Sequence, residues 1–151
     1  MRFAVNRILT MYARILSVGG LALAVIVLAM DRRWIATPLA SAVLLAAVIV
    51  LRAVPVRLSK YSYLTQTGIA VLVGAIAIGP SPVVLALTAG VILSDLLVLG
   101  KPLRAATVNA GREVLAFMAA YGVYALVYRL SGAPGLTLDF LPAAFTLAAM
   151  Y

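Results

Sequence analysis

Asp95, Arg104, Asn109, Arg112 and Glu113 fall close together in a chain that has only four acidic residues. Lys101 lies among them, in the tight turn Gly100-Lys101-Pro102. Carboxylates beside cations can do three things in apolar surroundings. They can pair to fix how two helices dock, hold a polar ligand, ion or proton, or meet an anionic lipid headgroup. A lone ionised side chain within hydrocarbon costs several kcal/mol, on the order of 3. Pairing is therefore expected: Asp95 with Arg112 or Arg104, and Glu113 with Arg112 or a basic loop residue. Asn109 is expected to hydrogen-bond across the helix interface.

Catalysis finds little support. The chain has no His and no Cys, so the commonest general base, the commonest zinc ligand and any thiolate site are missing. There is no Gly-rich phosphate loop and no Ser–His–Asp set. The reading is of a protein that is not an enzyme and carries no cofactor.

The elements that must position these residues are apolar runs. The chain has 151 residues and is 66% hydrophobic, 11% charged, with mean hydropathy +1.17. A soluble domain of that length needs far more polar surface. The expected fold is all-α: one integral membrane domain over 1–151, a polytopic transmembrane helical bundle of five full spans plus a short or truncated sixth. Residues 1–14 read as an amphipathic interfacial helix or a charged lead-in. The spans fall at about 15–30, 35–51, 64–78, 83–99, 103–128 and 141–151. The last stops after about half the length a span needs, which suggests the front part of a longer protein. Between Arg52 and Tyr63, alternating Val and Leu with basic and Tyr residues predicts an extended connection at the headgroup level, a short hairpin or a solvated loop. Gly79-Pro80-Ser81-Pro82 reads as a tight turn.

Small residues mark close helix packing. Gly19-Gly20, the pair Ala70 and Gly74, and the stripe Ala86, Gly90 and Ser94 are the candidates. Internal packing is the expected use of the stripe, with a homodimer seam as the alternative. Tyr121, Tyr124 and Tyr128 share a face near the end of the fifth span and read as an aromatic belt.

The formal charge of +8 sits in short clusters between apolar runs, which argues against nucleic acid. Nine basic residues fall on one side of a six-segment topology, and Arg32, Arg33 and Arg129 on the other. The positive-inside rule then puts the N-terminus in the cytoplasm of a bacterial inner membrane, with anionic lipids at that face.

A family pattern runs through residues 54–132. It comprises the basic segment Val54 to Ser59, Ile78-Gly79-Pro80, Ser94-Asp95, Pro102-Leu103-Arg104-Ala105, Val108-Asn109-Ala110-Gly111, and Val123-Tyr124 ahead of Ser131-Gly132. This resembles the N-terminal membrane module of bacterial signalling proteins that carry a cytoplasmic cyclic-nucleotide or HD-type phosphohydrolase domain. The resemblance implies a membrane sensor or anchor without catalytic motifs of its own. A fainter similarity is to substrate-binding subunits of energy-coupling vitamin transporters. Two alternatives to the sensor follow: a structural accessory subunit of a respiratory or photosynthetic complex, with other membrane subunits as partners, and a small-molecule transporter subunit.

Overall fold

The computed structural model describes residues 2–54, 56–57, 63–64, 66–130 and 141–151. It is all-α apart from one two-residue ladder. The helices are α1 (Arg2–Met30), α2 (Arg33–Ala36), α3 (Pro38–Ala53), α4 (Thr67–Ala77), α5 (Pro80–Val98), α6 (Leu103–Leu130) and α7 (Leu141–Met150). The strands β1 (Val56–Arg57) and β2 (Tyr63–Leu64) pair antiparallel, Val56 with Leu64 and Arg57 with Tyr63. The extended connection after Arg52 thus closes as a hairpin; residues 58–62 lie outside the described residues.

Among the described residues three helices, not five, are long and apolar enough to cross a membrane: Arg7–Met30, Pro80–Val98 and Leu103–Leu130. The hydrocarbon core is about 30 Å thick and takes about 20 helical residues. The 16 residues of α3 reach roughly 24 Å, and the 11 residues of α4 roughly 16 Å.

Proline sets the length of α3. Thr37 precedes Pro38 and Val54 precedes Pro55, and a residue before proline is pushed out of the helical region. Their dihedrals, φ −122° ψ 63° and φ −118° ψ 69°, are nearly the same. The apolar run that begins at Ile35 is therefore cut at Thr37. In α4, Leu64 is taken by β2, and Gly79, at φ 105°, ends the helix with a backbone that only glycine adopts easily. Pro80 then opens α5 directly, three residues before the expected start. A proline at the first helical position has no N–H to leave unsatisfied.

The N-terminal segment expected to run into the first span is continuous with it. From Arg2, α1 runs without a break to Met30. Nothing at Arg14 caps or breaks it, because the Leu- and Ala-rich sequence carries helix propensity straight through.

The bundle is built around α5, whose Val83, Val84, Ala86, Leu87 and Val91 are buried. Helix α3 lies along it, with Leu44 and Val48 in the same core. The missing side chain of Gly90 leaves room for Val48 and Leu45, and that of Gly74 for Leu44 and Val83. Ala86 and Ser94 are fully enclosed as well, so the small stripe of α5 is covered by the chain's own helices. Ala70 packs at the edge of that core.

Helices α1 and α6 run parallel and cross at Gly20 and Gly111. A Cβ on Gly20 would overlap the Gly111 backbone, and one on Gly111 would overlap the Leu16 carbonyl. Gly19 faces open space.

Two poles result. Arg52, Asp95, Lys101, Asn109 and Glu113 gather at one end. Trp34, Gly79 and Arg129 mark the other, where Trp34 Nε1 donates to the Leu28 carbonyl at 2.9 Å and Ser41 Oγ to the Trp34 carbonyl at 3.1 Å. The outer surface is apolar, with Leu97, Leu39 and Phe145 each at least three-quarters exposed. A monomer in water rarely exposes so many large apolar side chains.

Candidate functional site: a buried carboxylate clamp

Asp95 is completely buried. Its Oδ1 accepts from Arg52 Nε at 3.0 Å and from Lys101 Nζ at 3.0 Å. Its Oδ2 accepts from Arg52 Nη2 at 3.2 Å and from Asn109 Nδ2 at 2.6 Å. The Arg52 fork therefore grips both oxygens, the strongest form of carboxylate pairing.

Each partner comes from a different element, and local structure explains each placement. Arg52 lies in the last turn of α3, where a cation also suits the helix dipole. Asp95 lies in a stretch of α5, Ser94–Val98, that widens to π-helical bonding. The Leu99 N–H reaches back to the Ser94 carbonyl at 3.0 Å, five residues away. Such a widening re-aims side chains and is common at functional positions. Gly100 then adopts φ 61°, the left-handed conformation that ends helices. The reversal lets the Lys101 N–H donate to the Asp95 carbonyl at 2.8 Å, which brings the Lys101 ammonium onto the carboxylate. Asn109, about two turns into α6, closes the set.

The electrostatics are asymmetric. Arg52 is almost as buried as Asp95, its side chain only 7% exposed, whereas Lys101 is 39% exposed and keeps contact with the outside. Two cations surround one anion. A carboxylate has about four lone-pair sites, and here four donors occupy them. Among the described residues these four donors take up the acceptor sites of Asp95. What it does do is tie α3, α5, the following turn and α6 together.

The sequence placed Asp95 and Asn109 at this site but assigned the wrong cations. Arg112 does not reach Asp95; it turns outward and pairs with Glu113 at 2.8 Å. Arg104 is exposed and has no ion-pair partner among the described residues. The reason is the helical face: Arg104 and Arg112 stand on the outer side of α6, whereas Asn109 faces α5. Glu113 also accepts from the Tyr151 hydroxyl at 3.2 Å, and the Tyr151 ring meets Phe117 edge-on at 6.0 Å. Through this contact α7 docks on α6.

Arg52 and Tyr151 were not among the expected site residues. A signal for Arg52 existed. It is a single cation closing an apolar run, and such a group needs an anion. Nothing in the sequence pointed to Tyr151.

Arg112→Ala is expected to cost little, within about 1 kcal/mol, because the Arg112 side chain is solvent-exposed. A thermal melt of the purified variant within a few degrees of the parent is the check.

No family model, no curated protein and no solved structure matches this chain.

Proposed function

We propose that the chain is a non-catalytic polytopic module of a bacterial inner membrane, a sensor or anchor with its N-terminus in the cytoplasm. The observation that carries this reading is the saturated state of Asp95. The most chemically capable group in the protein spends all its acceptor capacity on holding helices together. Three long apolar helices and a lipid-like outer surface support the membrane setting. Arg104, Arg112 and Lys101 at the clamp pole suit the anionic leaflet facing the cytoplasm.

Since the chain contains no Cys, single cysteines report sidedness cleanly. Leu103→Cys lies at the start of α6 and Leu130→Cys at its end, both on exposed residues. With a membrane-impermeant maleimide on spheroplasts, Leu130→Cys is expected to label at once. Leu103→Cys is expected to label only after permeabilisation. The reverse pattern rejects the orientation, and recovery of the chain in the soluble fraction rejects the membrane reading. Purification in mild detergent with mass spectrometry of what stays bound tests the role: a stoichiometric set of membrane subunits speaks for an accessory subunit instead.

A further inference from the structure

At the pole opposite the clamp, a cleft of about 370 Å³ opens between the end of α4 and the last turns of α6. Its walls include Arg33, Gly79, Tyr121, Tyr124, Tyr128 and Arg129. The tyrosines form a ladder, with ring centroids 5.4 Å apart for Tyr121–Tyr124 and 6.0 Å for the stacked pair Tyr124–Tyr128. Arg33 is held from two sides. Its Nε pairs with Asp31 at 3.3 Å, and its guanidinium lies where a Cβ on Gly79 would stand. Among the described residues Arg129 has no ion-pair partner and the Tyr121 hydroxyl no hydrogen bond.

These features add up to a recognition chemistry. Asp31 offsets Arg33, so among the described residues Arg129 gives the cleft one net positive charge. The Tyr faces offer an apolar, flat surface with polar edges. Guanidinium groups recognise carboxylate and phosphate oxygens directionally. The clamp pole, by contrast, has its anion already in place.

We infer that this cleft binds a small monoanion with a flat or apolar body, either an aryl carboxylate or the phosphodiester headgroup of an anionic lipid. Calling it the input site of a sensor rests on the function proposed above; the binding itself does not.

The test uses the full chain in nanodiscs of phosphatidylcholine. Trp34, the only tryptophan, adjoins Arg33 and serves as a fluorescent reporter. Benzoate is titrated against its uncharged amide, benzamide. Benzoate is expected to give a saturable change, with benzamide about tenfold weaker or more. Arg129→Gln is expected to weaken benzoate about tenfold, Arg129→Lys to restore part of it, and Tyr121→Phe to weaken it less. Arg129 is exposed, so an unchanged thermal midpoint confirms that its variants fold. In a second arm, phosphatidylglycerol is added to the nanodiscs. If it displaces benzoate, or is retained by the parent and lost by Arg129→Gln in native mass spectrometry, the lipid headgroup is the natural source. If neither anion binds in an Arg129-dependent way, the proposal is overturned. Failure here with the cysteine labelling as expected leaves the membrane orientation standing; reversed labelling with binding intact does the converse.

Discussion

Asp95→Ala is expected to lower stability by about 3–5 kcal/mol, the cost of leaving one member of a buried ion pair without its partner. Arg52 is then buried without the carboxylate that its guanidinium grips, while Lys101 can turn outward to water. Arg52→Ala is expected to cost a similar amount, because Lys101 alone cannot supply the two-pronged grip that Arg52 gives Asp95. The contrast with Lys101→Ala is informative. That cation is partly exposed, and its loss is expected to cost about 1 kcal/mol or less.

The two large effects should not add. Once Asp95 is gone, Arg52 is a liability, so the double variant Arg52→Met/Asp95→Leu is expected to regain much of the loss. Thermal melting followed by size-exclusion in detergent measures all four proteins. An Asp95→Ala variant that melts with the parent would show that the clamp contributes nothing to the fold.

The second large effect is expected at the α1–α6 crossing. Gly111→Ala puts a methyl group into the Leu16 carbonyl, and Gly20→Ala puts one into the Gly111 backbone. Backbone cannot rotate aside as a side chain can, so the helices must part. Overpacking of this kind costs about 1–3 kcal/mol. It is also expected to loosen α1, which joins the rest of the bundle chiefly along α6. Gly19→Ala is the internal control. Its new methyl meets nothing, and the better helix propensity of Ala is expected to leave stability unchanged or raise it by up to about 1 kcal/mol. Limited proteolysis between α1 and α2 reads the loosening directly. Equal melting of Gly19→Ala and Gly111→Ala would mean that the close crossing does not exist in the membrane.

Hydropathy alone pointed to an all-α chain with helices long and apolar enough to cross a membrane. Long apolar runs, few charges and tight Gly-Pro turns dictate helices in a low-dielectric medium, because only internally bonded backbone survives there. Composition also settled that Asp95 needs a counter-charge, since burial of a lone carboxylate is too costly at any position. Which counter-charge it takes was beyond the sequence. Asp95 and Arg52 lie 43 residues apart and meet only because α3 and α5 pack side by side. The choice of Arg52 over Arg112 depends on which face of α6 turns inward and on the π-helical widening that re-aims Asp95. The number of full-length spans was likewise decided in three dimensions. Hydropathy counts apolar residues, but Thr37 and Val54, each set by the proline after it, and Gly79 at positive φ fix where the helices stop. Local chemistry fixes what each segment can be; the packing of distant segments fixes which groups meet.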